Sequence, residues 1–282
     1  MTYDDWIPYF DRIGWPSGSQ KNLGLETLRT LHNCHQQTFP FENLSVFLTH
    51  SIGLTFPSLW EKMVQQRRGG WCFETNGLLS GALEILGFPV RTLMARNLMA
   101  PGKPRSHMIL LVNCEGVPYV VDAGFGGVCP RRPHPLHALE PLDHQGLSFR
   151  LIRQKGLRWS ELDAEPDRWI LQNYRGLEWV DIYGFSTEAF TPADYLVGNH
   201  FHSTSPQSPF TQNPIVVGFH PSHRWSLSGR RVKEFHIQDG CEVLSEQYEL
   251  TSPEEIQKAL LEKARLELSL EAVKKVFQME GV

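Results

Sequence analysis

The chain has 282 residues, enough for one large domain or two to three small ones, and 41% of them are hydrophobic, enough to bury a substantial core. A net charge of −4 provides no global field that would point to nucleic acid or an anionic membrane. Five cysteines, odd in number, widely spaced and without a C-x-x-C, argue against a disulfide framework and against a zinc ribbon. No stretch approaches the ~18 apolar residues that span a bilayer, and the start, Met1 to Trp6, is acidic and lacks an apolar signal core. The expected compartment is reducing and cytoplasmic, where a free thiol survives.

In chain order, residues 4–13 read as a short helix with Trp6, Phe10 and Ile13 on one face and Gly14 at its end. Residues 25–37 read as a second helix. Its His32 and His35 lie one turn apart, but no third ligand is near in sequence, so they read as surface or capping histidines rather than a metal pair. Thr38 to Leu44 reads as a packed loop around Pro40, with Glu42 and Asn43 as turn residues. A third helix is expected over Ser58–Gln66, capped by Ser58. After Arg67-Arg68-Gly69-Gly70-Trp71-Cys72-Phe73-Glu74-Thr75-Asn76, the apolar run to Leu86 reads as a buried helix closed by Gly87.

From Phe88 the pattern changes to short β-prone segments: 90–94, 107–112, 119–122, 148–152, 169–172 and 179–183, separated by Gly, Pro or Asn. They suggest a small barrel or strongly curled sheet. Four prolines between Cys129 and His144 argue against regular structure there. Residues 186–225 read as mostly irregular, followed by strands over 224–227, 231–237 and 241–244. Ser252-Pro253-Glu254-Glu255 is a helix start with N-cap, Pro at N1 and Glu at N3, and the helix runs to about Leu266. A last amphipathic segment covers Leu270–Met279.

Cys72 falls at a helix N-terminus, where unpaired N–H groups and the positive end of the dipole favour a thiolate. Gly69 and Gly70, without Cβ atoms, allow close approach beside it. A base for such a nucleophile is found in the next hairpin. If Asn113-Cys114-Glu115-Gly116 forms the turn with Asn113 opposite Gly116, then His107 and Asp122 stand directly opposite on one sheet face, with Cβ atoms about 4.5–5.5 Å apart. A slip of one residue would separate them. Cys72, His107 and Asp122 then make a nucleophile, base and orienter.

These residues resemble the arylamine N-acetyltransferases. The family signature matches Arg68-Gly69-Gly70-x-Cys72-x-Glu74-x-Asn76, Pro40 to Leu44, Ser106-His107, and Val121 to Gly127. Its later motif matches Asn199-x-Phe201-x-Ser203-x-x-Pro206-x-Ser208-x-Phe210. The resemblance implies an α+β fold on a papain- or transglutaminase-like cysteine core. Residues 1–87 would form a helical domain carrying the cysteine, 88–190 a β-barrel carrying the histidine and aspartate, and 191–282 an α/β lid. It implies acetyl transfer from acetyl-CoA, as co-substrate and without a metal, to an arylamine, hydrazine or hydroxylamine by a ping-pong route through acetyl-Cys72, with no nucleic-acid or membrane partner. Ser106, Gly126 and Phe201 would lie near the cofactor cleft, and Phe125 would line the acceptor pocket. Glu42, Asn43, Glu74, Asn76 and Arg68 would be structural supports, Arg68 as a core ion-pair partner. Alternatives from the same residues are a macrolactam-forming amide synthase relative, a transglutaminase-like cysteine hydrolase, and a binding module with a vestigial triad.

Overall fold

The computed structural model describes residues 1–16, 23–100, 102–138, 140–155 and 167–278. The N-terminal part is helical. A 3-10 turn over Asp4–Trp6 runs into α1 (Ile7–Arg12), and α2 spans Leu25–Thr38. Trp6, Tyr9 and Phe10 pack with Leu28, Leu31 and Phe39 in one apolar cluster. His32 and His35 are not at the surface. Both are buried: His32 Nε2 donates to the Asp122 carbonyl at 2.9 Å, and His35 Nδ1 lies 2.8 Å from the Tyr9 hydroxyl. The helical face that carries them is the core face, and two imidazoles with partners can share it with leucines.

The expected loop around Pro40 contains β1 (Phe41–Glu42), followed by α3 (Leu44–Leu48). The third helix starts earlier than expected. The cap is Thr55, whose Oγ1 accepts from Ser58 N at 3.4 Å, with Pro57 already inside α4 (Phe56–Leu59). A π-helical turn over Trp60–Gln65 completes it. The buried α5 spans Cys72–Leu86 and is closed by Gly87 at φ +100°.

Eight antiparallel strands follow: β2 (Val90–Asn97), β3 (Arg105–Cys114), β4 (Val117–Val121), β5 (His134–Pro135), β6 (Leu142–Asp143), β7 (Ser148–Gln154), β8 (Arg168–Tyr174) and β9 (Trp179–Phe185). Their order, β5-β4-β3-β2-β9-β8-β7-β6, makes one curled sheet. The end strands approach through His134 and His144, whose stacked rings share a hydrogen bond of 3.0 Å, so the barrel is nearly closed. The Pro-rich segment therefore does hold regular structure, in two-residue strands, one of which, β5, includes Pro135. Inside the barrel lie Leu93, Ala95, Ile109, Phe149, Leu151, Leu171 and Ile182. Met94, Met108, Leu110 and Val112, on the other face, pack with α5. β3 is buried on both faces, which accounts for its continuous apolar run.

The C-terminal part is a five-stranded antiparallel sheet, β1-β10-β11-β12-β13, with β10 (Ile215–Phe219), β11 (His223–Ser228), β12 (Arg231–Gln238) and β13 (Cys241–Glu249). Helices α7 (Pro253–Ala264) and α8 (Leu270–Phe277) cover one face through Ile256, Leu260, Val273 and Val276 against Val216, Trp225 and Leu227. α7 stops at Ala264 because Arg265 turns left-handed, and Met279 lies outside the described residues. The expectation that 186–225 is mostly irregular is overturned by α6 (Pro192–Thr204) and β10. Gly198, Asn199 and Ser203 dilute the helical pattern of α6, yet Thr191 and Asp194 form a capping box with Pro192 at N1. Among the described residues no helix is long and apolar enough to cross a membrane.

β1 also carries a buried ion pair. Glu42 Oε1 receives Arg68 Nη2 at 2.7 Å and Nε at 3.1 Å, while its Oε2 accepts Leu44 N at 2.7 Å. Lys62 lies 3.4 Å from Glu42 and 2.8 Å from Glu74. Burial works against ionising Glu42, but Arg68 and Lys62 outweigh it and hold the carboxyl below its usual range. Arg68→Met should therefore cost about 3–5 kcal/mol by leaving a buried carboxylate short of its main partner. Adding Glu42→Gln should recover part of that loss. Urea unfolding of the three variants measures both; an unchanged midpoint for Arg68→Met would show the pair to be dispensable.

Candidate active site

Cys72 is the first residue of α5, directly after the extended N-cap Trp71. Glu74 Oε2 accepts from Trp71 N at 3.1 Å, so the helix start is locked from within. The two glycines before it are required by crowding. A Cβ on Gly69 would collide with the Pro40 carbonyl, and one on Gly70 would lie 2.7 Å from Glu74 Cβ. The thiol is 8% exposed, and its Sγ stands 3.9 Å from the Ser106 carbonyl. On its other side the chain passes so near that a Cβ on Gly124 would sit 2.7 Å from Cys72 Cα.

His107 Nε2 and Asp122 Oδ2 are 2.8 Å apart. The hairpin register differs from the expected one. Leu110 pairs with Val121 and Cys114 with Val117, so the turn is the two-residue Glu115-Gly116, with φ +53° and +81°. Asn113 caps it by accepting Gly116 N at its Oδ1. The expected loop, Cys114-Glu115, is also of two residues, but a hairpin turn with both φ values positive is adopted more readily at Glu115-Gly116, where Gly116 has no Cβ. This moves the pairing by two residues, an even number. His107 and Asp122 therefore stay on one face, as diagonal rather than direct neighbours, and Asp122 lies just past the end of β4.

The remaining valences of Asp122 are filled. Asn76 Nδ2 donates to Oδ1 at 2.9 Å and Gly124 N donates there at 2.9 Å. Asn76 also donates to the Met108 carbonyl and accepts Ala123 N, so α5 grips both strands. Burial would raise the Asp122 carboxyl, but His107, Asn76 and Gly124 together hold it low. Burial likewise opposes charge on His107. The Asp122 carboxylate and its hydrogen bond, helped by contact with Cys72, outweigh it and push the imidazole up to about 10. The ring is enclosed by Phe125 at 5.0 Å and Tyr183 at 5.2 Å between centroids.

Cys72 and His107 open into a cleft of about 300 Å³. Of the other residues expected near the site, Ser106, Phe125 and Phe201 line it. Gly126 does not. It sits behind the wall, where a Cβ would meet the ring of Phe41 at 2.7 Å. The sequence reading missed the walls formed by Phe41, Trp71, His202 and Phe210 and the cation Lys103 at Gly102-Lys103-Pro104. His202 had a visible signal, since it lies one residue from Phe201 within the later motif. Among the described residues no group of three metal-ligating side chains comes together.

A family model for N-acetyltransferases matches residues 24–273. An arylamine N-acetyltransferase of Escherichia coli K12 is 37% identical over 213 residues, covering 74% of this chain and 70% of its own length. The solved arylamine N-acetyltransferase of Salmonella typhimurium superposes with a TM-score of 0.86 at 29% identity, over 99% of this chain and all of that one. That of Mycobacterium marinum in complex with CoA gives 0.83 at 28% identity, over 97% and 99%. Fold and sequence together define an acetyltransferase. More narrowly, the chain belongs to the arylamine N-acetyltransferase family.

The raised His107 has a stated pH consequence. Its contribution to stability is complete below the ordinary imidazole value of 6.5 and is lost as pH rises through about 10. NMR of the ring should therefore show an imidazolium from about pH 6 to 9. Asp122→Asn removes the raising influence and leaves burial, so the ring should become neutral across that range. Titration of wild-type His107 below pH 7 would contradict the assignment.

Proposed function

We propose that the protein transfers an acetyl group from acetyl-CoA to an arylamine, arylhydrazine or N-hydroxyarylamine, by a ping-pong route through acetyl-Cys72. The observation that carries this reading is the Cys72 thiol at the start of α5, against an imidazolium that Asp122 holds charged. Family membership supports the acetyl transfer, and the CoA complex of the M. marinum relative supports the donor. A helix-borne cysteine facing a strand-borne histidine and aspartate also fits a papain- or transglutaminase-like core.

In the first half-reaction the Cys72 thiolate attacks the thioester carbonyl, and the backbone N–H groups of Cys72 and Phe73 at the start of α5 stabilise the oxyanion, those of Glu74 and Thr75 being engaged by the Trp71 carbonyl. As the C–S bond breaks, coenzyme A leaves as a thiol with the proton of His107. In the second half-reaction the amine attacks acetyl-Cys72. The neutral His107 takes the amine proton, and the thiolate leaves beside a restored imidazolium. Asp122 keeps the ring oriented through both steps. Phe125 packs against the acceptor ring, Ser106 and Phe201 border the donor's path, and Gly126 shapes the wall by letting Phe41 close in.

Mass spectrometry after incubation with acetyl-CoA alone should find one acetyl group on the Cys72 peptide. Cys72→Ser should lower turnover at least about a thousandfold while keeping the fold. Acetyl on Cys34, Cys114, Cys129 or Cys241 instead, or full activity of Cys72→Ser, would sink the mechanism.

A further inference from the structure

The cleft holds a second imidazole that the mechanism above leaves unused. His202, on α6, places Nε2 2.7 Å from the hydroxyl of Ser106, the residue directly before His107 on β3. Its ring is wedged among Trp71, Phe73, Phe201 and Phe210, with centroids 5.1–6.4 Å away. Burial, reinforced by the charge on His107, pushes His202 down to about 4, so it is neutral under ordinary conditions.

The hydrogen-bond network assigns its tautomer. The Ser208 hydroxyl gives its proton to the His202 carbonyl at 3.0 Å and accepts Phe210 N at 3.2 Å. It has no proton left for His202 Nδ1, 3.4 Å away, so that contact requires Nδ1–H to be the donor. Nε2 is then an acceptor, and the short contact at 2.7 Å must run from the Ser106 O–H to Nε2. The Ser106 proton is committed to His202, which leaves the lone pairs of Ser106 Oγ as an acceptor at the cleft wall. Cys72, His107 and Lys103 share that wall; in the acetyl-enzyme the neutral His107 offers one further acceptor and the Lys103 ammonium is a donor.

We propose that Ser106 receives an N–H of the acceptor amine and that His202, acting through Ser106, is a positioning residue for the second half-reaction. The inference rests on the acetyl-cysteine reading above. An attacking amine carries one lone pair and two N–H bonds. One proton leaves to His107. An acceptor for the other sets the lone pair toward the thioester carbon. That hydrogen bond strengthens as the nitrogen becomes positive, so it favours the transition state over the bound amine. His202 raises the acceptor strength of Ser106 Oγ by drawing on its hydroxyl proton, and no proton is transferred between them. A thiol acceptor has no second hydrogen and gains nothing.

The test separates the half-reactions. Release of coenzyme A from acetyl-CoA without amine reports the first, and decay of isolated acetyl-enzyme with an aniline reports the second. His202→Phe should leave the first within about threefold and slow the second by about ten- to a hundredfold. Ser106→Ala should slow the second half-reaction to a similar extent, and in that half-reaction the double variant should be no slower than either single one. His202→Gln, whose amide oxygen can accept from Ser106, should recover most of the rate. Return of acetyl from the enzyme to the thiol of coenzyme A should be unaffected by His202→Phe or His202→Gln. Equal losses in both half-reactions, a loss confined to the first, or full amine transfer by His202→Phe would each overturn the proposal. A wild type that forms no acetyl-enzyme would instead overturn the acetyl-cysteine reading, and this inference with it.

Discussion

The structure depends on the buried carboxylate of Asp122. An ionised group with essentially no access to water persists only if its lone pairs are filled and a counter-charge is near. Here three donors reach its oxygens from three places: His107 on β3, Asn76 on α5 and the backbone of Gly124. Its own carbonyl accepts from His32 on α2 at 2.9 Å and from Cys129 Sγ at 3.4 Å. Two helices, a strand and the segment after β4 therefore meet at one residue. Movement of β3, α5 or the Gly124 segment would strand the buried charge, and movement of α2 would strand the Asp122 carbonyl, so the imidazole facing Cys72 is set by the packing of the helical part on the barrel.

A second ionic group, Glu42, Lys62, Arg68 and Glu74, lies on the other side of Cys72. It holds the chain through Gly69 and Gly70 and the N-cap at Trp71. The two networks meet in the first turn of α5. Glu74 and Asn76, two residues apart, project from roughly opposite sides of a helix with 3.6 residues per turn. Glu74 reaches Lys62 and the N-cap, while Asn76 reaches Asp122. The spacing Cys-x-Glu-x-Asn thus has a geometric reason: one helix turn is clamped from two sides with the thiol at its tip.

What was legible in the chain follows from how local each feature is. The apolar run of α5, the alternation in β7 and the capped start of α7 are set by neighbouring residues, and their patterns survive folding. The hairpin at His107 was legible in face but not in register, since the turn is chosen by positive φ at Glu115 and Gly116, and sequence does not single out that pair. The pairing of Phe41 with Val217 was illegible, because it joins segments far apart in the chain that make one sheet only after the helical part has packed. α6 was hidden by its composition. Its stability comes from a capping box and from packing on β3 rather than from helix propensity. His32 and His35 were misplaced for a related reason: polar residues on a helix read as surface until the partners that satisfy them, Asp122 and Tyr9, are brought in from elsewhere.

The same reasoning bears on which acceptors the cleft suits. Lys103 lies on the lining of the cleft, and aromatic rings form much of the remaining wall. A protonated amine would meet repulsion and a desolvation cost there, and it has no lone pair for attack. An amine attached to an aromatic ring keeps its lone pair at neutral pH because delocalisation makes it a weak base, and the cleft presents apolar ring faces at Phe125 and Phe41. The Lys103 cation and the apolar walls of the cleft therefore suit the same thing, a flat, weakly basic, uncharged nucleophile. Discrimination of this kind needs no residue dedicated to recognising the amine's charge; it follows from the low polarity of the wall around the thiol.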